Sequence, residues 1–209
     1  MFKVDLHIHT TNSDGLTKPE DVVKIAKRVG LSGVAVTDHN FLTNIKKDES
    51  ILVILGEEIT TKEGHILALG ISEEIERDLP LEETIDRIKE QGALAVAAHP
   101  FDKFRKGVGD LVYKVDFDAI ETLNARSIFP TFNSRARKAA LKLKIPQVGG
   151  SDAHADDQIG RAYTIITKEV SNEDDVLKMI KKGYCYAEGK SIGVIKYLKE
   201  KTIKFLNSF

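Results

Sequence analysis

The sequence predicts an α/β barrel, and three observations carry that expectation. Short apolar runs alternate with helical patterns along 209 residues, the pattern of strands covered on both faces by crossover helices. No GxGxxG or GxxxxGK[ST] follows the first strand, so a nucleotide-binding open sheet is without support. All six histidines fall at strand ends or in adjoining loops, where a barrel carries its active site. One domain over residues 1–209 fits a prior of roughly 150 residues per domain.

The elements follow in chain order. Phe2 to Ile8 reads as the first strand. Pro19 to Val29 is a helix, with proline in its first turn and Gly30 just past its end. Gly33 to Thr37 and Ile51 to Leu55 are buried-type strands, the latter running into Gly56, Glu57 and Glu58. His65 to Leu69 is a fourth strand. Leu81, Ile85 and Ile88 share one face of a helix over Leu81 to Gln91, closed by Gly92. Ala93 to Ala98 and Phe117 to Leu123 are strands, and Thr131 to Leu143 is helical. Ile145 to Gly149 and Ala162 to Thr167 are strands, followed by a helix over Glu173 to Lys182. Ile192 to Phe209 is amphipathic and is expected to pack its apolar side on the barrel, leaving its lysines in water.

Composition narrows the function. The chain is 42% hydrophobic and 30% charged, which excludes disorder and a coiled coil. Lys+Arg 31 against Asp+Glu 32 gives a net charge of −1, so no bulk polycation faces nucleic acid. A single cysteine, Cys185, excludes an internal disulfide and a cysteine-based zinc finger. The first residues lack the basic and apolar regions of a signal peptide, and no apolar run spans a bilayer. A cytoplasmic protein with no membrane partner is expected.

The histidines are His7, His9, His39, His65, His99 and His154, accompanied by Asp5, Asp14, Asp38, Glu57, Glu58 and Asp152. Residues two apart on a strand share a face, so His7 and His9 project together as a chelating pair. Asp152 and His154 repeat that spacing near the other end of the chain. First and last strands are neighbours in a closed barrel, so the two pairs can face one metal cluster. A scatter of unrelated core histidines would place some on helices, and none lies on a predicted helix.

These residues sit in segments that resemble the polymerase-and-histidinol-phosphatase (PHP) family of metal-dependent phosphoesterases. The segments are DLHIHTTNSDG at 5–15, VTDHN at 36–40, GEEITTKEGHILALG at 56–70, AAHP at 97–100 and GGSDAH at 149–154. The resemblance implies a distorted seven-stranded β/α barrel with up to three metals at its C-terminal face. It implies that His7, His9 and Asp152 hold the first metal together with Glu58. Glu58 would bridge to a second metal held by His65 and His99, with Glu57 the alternative bridge. Asp14, His39 and His154 would hold a third. Asp38 would orient an imidazole, and Glu58, Asp152 and His154 would form the catalytic set.

Such a cluster suits phosphate-ester hydrolysis. Metal-bound water falls in pKa toward roughly 7, and paired metals stabilise the charge of the phosphoryl group. Mixed imidazole and carboxylate ligands fit manganese, iron or zinc. Arg105, Arg126 and Arg161 are candidate phosphate ligands, because a guanidinium fork matches phosphate oxygens. Glu121 and Asn124 end a strand on the same side. The expected substrate is a small phosphometabolite, a nucleotide or the end of a short nucleic acid. A metal amidohydrolase and a catalytically silent PHP-like scaffold are the competing readings.

Overall fold

The computed structural model describes residues 1–46 and 50–193. Its strands are β1 (Phe2–Ile8), β2 (Gly33–Val36), β3 (Leu52–Thr60), β4 (His65–Leu69), β5 (Leu94–Ala97), β6 (Ala119–Asn124), β7 (Gln147–Gly150), β8 (Ala162–Ile166) and β9 (Cys185–Gly189). The α-helices are α1 (Pro19–Arg28), α2 (Leu81–Glu90), α3 (Pro130–Leu143) and α4 (Glu173–Lys181). The helix expected over 192–209 lies, beyond residue 193, outside the described residues.

The sheet order is β7-β6-β5-β4-β3-β2-β1-β8-β9. Seven strands thus follow the chain, and the antiparallel pair β8 and β9, connected through α4, lies on the far side of β1. Pairing is parallel through β1, β2 and β3 and again through β5, β6 and β7. β4 is antiparallel to both its neighbours, and β8 is antiparallel to β1 and β9. This departs from an all-parallel sheet for a physical reason. Only residues 61–64 separate β3 from β4, and a parallel return needs a crossover of a dozen residues or more.

The two ends of the β1–β7 run meet. The amide of Asp152 donates to the His7 carbonyl at 2.8 Å, and that of His9 donates to Ala153 at 2.8 Å. Thr164 on β8 exchanges hydrogen bonds of 2.9 Å with both backbone groups of Gly149. A Cβ on Gly150 would lie 2.5 Å from the Cβ of His7, so glycine there permits the close approach that nearly closes the barrel.

Apolar packing holds this frame. Val4, Leu6, Ala35, Ile54, Val96 and Val148 form a central cluster with Val176 and Ile180 of α4. α1 covers the outer face of β2 through Val22, Val23, Ile25 and Ala26, packed with Val34, Val36 and Val53. Full burial of such side chains contributes about 1.5–3 kcal/mol each. Leu6 joins Val4 in the core although His7 follows it directly. A register shift between Asp5 and Ile8 accommodates that break in alternation.

Candidate metal centre

β1 delivers His7 and His9, both fully buried, with their Nε2 atoms 3.1 Å apart. Glu58, in the inward register of β3, places Oε2 3.2 Å from His7 Nε2, 3.1 Å from His9 Nε2 and 3.3 Å from His39 Nδ1. Its Oε1 lies 2.9 Å from His65 Nδ1 and 2.9 Å from His99 Nε2. One carboxylate therefore faces two groups of imidazoles, one through each oxygen. His65 reaches them from the N-terminal end of β4, because the antiparallel turn brings that end to the same face as the end of β3. His99 follows β5.

Glu57 points to the other face of β3. Its Oε1 accepts from the Ile75 amide at 2.8 Å, and Oε2 has no hydrogen-bond partner among the described residues. Burial pushes this carboxyl up to about 7. Among the described residues it joins no group of converging ligand atoms, so the position facing the histidines belongs to Glu58.

Asp152 and His154 follow β7. Asp152 Oδ1 lies 3.6 Å from His9 Nε2, 3.9 Å from His7 Nε2 and 3.5 Å from His154 Nδ1. His154 Nε2 lies 3.1 Å from Asp14 Oδ2, and His39 Nε2 lies 3.9 Å from Asp14 Oδ1. Asp14, His39 and His154 thus converge, and His9 joins them. The turn carrying Asp14 is tight: a Cβ on Gly15 would lie 2.4 Å from the His9 carbonyl oxygen.

Asp38 does not orient an imidazole. Its carboxylate accepts from the Thr10 amide, the Thr10 hydroxyl, Ser13 and Thr43. It ties the loop after β1 to the loop after β2, fixing both Asp14 and His39 at one remove. The carboxylate that orients a histidine is Glu121 on β6. Its Oε1 lies 2.9 Å from His7 Nδ1, and its Oε2 accepts the His99 amide at 2.7 Å. Asn124 donates to Glu121 and to Asp152, both at 3.0 Å. These two residues position His7, His99 and Asp152.

Electrostatics follow from this packing. Burial opposes the charge of Glu58 and Asp152, yet His7 beside both, with Arg105 and Arg126 beside Asp152, holds each well below the carboxylate range. Burial also opposes a charged His7, and Asp152, Glu121 and Glu58 overcome it and raise that imidazole well above its ordinary value. Burial lowers His9, and it lowers His39 to about 4. His99 and Asp152 hold φ of 30° and 52°, a left-handed backbone that costs non-glycine residues roughly 1–3 kcal/mol and gathers at functional sites.

An open cleft of about 470 Å3 exposes this centre, with Glu58, His99 and Asp152 at its floor and Phe104, Arg105, Arg126 and Arg77 around them. Arg105 is held by protein: its fork donates to Asp102, Asp152 and Asn124. Arg126 reaches the cleft with Nη1 3.0 Å from His154 Nδ1, and its side chain is 39% exposed. Arg161 does not line the cleft. Its guanidinium donates to the carbonyl and carboxylate of Asp157, a partner four residues back that the sequence places within helical-turn reach. Nothing in the sequence marks Arg77 as a cleft residue, since it follows no strand and sits in the charged stretch EEIERD.

The donor set fits divalent transition metals. Two imidazole nitrogens at 3.1 Å need a cation or a proton between them, and the buried Nδ1 atoms of His9 and His99 have no hydrogen-bond partner among the described residues. Four overlapping groups of ligand atoms, drawn from His7, His9, Asp14, His39, Glu58, His65, His99, Asp152 and His154, converge within 4.8 Å. Borderline nitrogen and oxygen donors of this kind suit manganese, iron or zinc.

Comparison with known proteins agrees with the geometry. The PHP-associated family model matches residues 130–185, from α3 through β7 into β9. An uncharacterized protein of Methanocaldococcus jannaschii is 37% identical over 163 residues, 70% of this chain and 95% of that one. A 5'-3' exoribonuclease of Haemophilus influenzae is 31% identical over 114 residues, 50% of this chain and 40% of its own length. The fold is shared by a two-domain protein of Bacteroides vulgatus containing a predicted PHP-like metal-dependent phosphoesterase. That match has a TM-score of 0.74 and 21% identity, covering 90% of this chain and 65% of the other. With the motifs, the nearly closed barrel and the ligand clusters in agreement, the chain belongs to the PHP family of metal-dependent phosphoesterases.

Proposed function

We propose that the chain hydrolyses phosphate esters of a small phosphometabolite, a nucleotide or a nucleic-acid end. The observation that carries this reading is the split carboxylate of Glu58, with His7, His9 and His39 at one oxygen and His65 and His99 at the other. His7, His9, Glu58 and Asp152 would hold one metal, Glu58, His65 and His99 a second, and Asp14, His39 and His154 a third. Two or three manganese, iron or zinc ions bound there would supply a nucleophile at neutral pH and charge for the phosphoryl oxygens. Asp152 and His154 flank the side of the cleft nearest Arg126, and with Glu58 they form the proposed catalytic set. Arg126 is the cation best placed to meet a substrate phosphate. Arg105 keeps the Asp152 carboxylate ionised and in place. The exoribonuclease among the relatives supports keeping a nucleic-acid end among the substrates.

The test is a panel of nucleoside mono- and bisphosphates, histidinol phosphate and short RNA with manganese added, each run again after chelation. Phosphate release that chelation abolishes supports the reading. Ammonia or carboxylate release from amide or lactone substrates, with no phosphate released, would identify an amidohydrolase instead.

A further inference from the structure

The mouth of the cleft carries an aromatic cluster that the hydrolytic chemistry does not use. Phe104 is 66% exposed and Phe129 41% exposed. With the half-buried Phe132 their ring centroids lie 5.5–6.2 Å apart. Single exposed apolar residues are ordinary on protein surfaces, whereas contiguous exposed apolar groups are a common feature of binding surfaces. Phe104 lines the same cleft as Glu58, His99 and Asp152.

The turn bearing Phe104 is anchored on both sides. Asp102 accepts the Phe104 amide at 3.2 Å, and the next residue, Arg105, is fastened inward to Asp102 and Asp152. Fixing Arg105 inward leaves Phe104 to project at the mouth. Cations share this region: Lys103 Nζ lies 5.4 Å from the Phe104 centroid, and Lys106, Arg77 and Arg126 line the cleft. A ligand that satisfies both features carries a flat aromatic group and a phosphate on one molecule.

We infer that Phe104, with Phe129 and Phe132 behind it, is a stacking platform for the base of a phosphorylated nucleoside whose phosphate enters the metal centre. This rests on the phosphoesterase reading and narrows its substrate to base-bearing phosphates, either a free nucleotide or the end of a nucleic acid. Base–aromatic stacking is sequence-tolerant, because every base has a π-face.

The experiment uses the manganese-loaded full chain with adenosine 5′-monophosphate, a short 5′-phosphorylated oligoadenylate and ribose 5-phosphate, which lacks the base. Calorimetric Kd and kcat/KM are measured for wild type, Phe104→Ala, Phe129→Ala and Phe104→Trp. The expected result is a preference for the base-bearing ligands over ribose 5-phosphate of roughly tenfold or more. Phe104→Ala should collapse that preference, Phe129→Ala should reduce it, and Phe104→Trp should restore it. Tighter binding of the oligoadenylate than of the mononucleotide assigns the platform to nucleic-acid ends, and equal binding assigns it to nucleotides. Equal affinity for adenosine 5′-monophosphate and ribose 5-phosphate, or a preference that survives Phe104→Ala, would overturn the inference while leaving the phosphoesterase reading intact. If no ligand releases phosphate, the phosphoesterase reading fails, and the calorimetric preference still decides on the platform.

Discussion

Burial raises the Glu57 carboxyl from its ordinary 4.5 to about 7, because one of its oxygens is buried without a hydrogen-bond partner among the described residues. The folded state thus penalises the ionised form. Stability referred to this group is complete below pH 4.5 and is lost as pH rises through 7, by about 3 kcal/mol at most. Glu57→Gln keeps the shape and removes the titration. In metal-free protein its denaturation midpoint should rise relative to wild type between pH 5 and pH 8, and an unchanged difference across that range would contradict the account. Asp14 and His7 differ in exposure, their side chains being 54% and 0% exposed. Asp14 sits in a solvent-facing turn, so Asp14→Ala should act chiefly through metal affinity and recover part of its activity at high manganese. His7→Ala removes a buried imidazole of β1, a proposed ligand, and should not recover. A manganese titration of both variants with a phosphate monoester measures this, and equal, unrescuable losses would show the Asp14 group to be as integral as the His7 group.

At the scale of elements, β6 supports the centre without facing the cleft. Glu121 is 1% exposed and joins His7 of β1 to the backbone of His99 after β5. Second partners of ligating imidazoles typically contribute 10–100-fold in metal affinity. Glu121→Ala is therefore expected to weaken manganese binding by roughly that factor, read by competition with a chelator, while circular dichroism reports an intact fold. Glu121 was legible as a polar residue at a strand end, but its role was not, because the imidazole it meets is 114 positions away in sequence. β9 was not legible at all. Cys185–Gly189 is short and carries no continuous apolar run, and its pairing with β8 makes it a strand. The antiparallel course of β4 was masked for a related reason: a buried apolar run reports that both faces are covered and says nothing of direction. The histidine-bearing segments were legible because each side chain sits at an element boundary that glycine, proline or a turn marks in the sequence. Asp38 shows the limit of adjacency, since its partners are loop hydroxyls and amides rather than the histidine beside it.

For the whole molecule, strands from distant parts of the chain are brought together so that candidate ligands separated by more than a hundred residues share one centre. Gly149 and Gly150 admit β7 against β8 and β1, and Asp5 ties the seam by accepting the amides of Ser151 and Gly160, both at 2.9 Å. Among the described residues no helix is long and apolar enough to cross a membrane. The central claim is that this closure builds a multinuclear metal site organised by Glu58. Elemental analysis tests it most directly, on protein supplied with manganese, iron and zinc and then freed of loosely bound ions. Wild type should hold two or three divalent transition metals per chain, and Glu58→Gln, whose amide is a poor bridge between two cations, should lose at least one. Less than one metal per chain in wild type, or an undiminished content in Glu58→Gln, would contradict the claim.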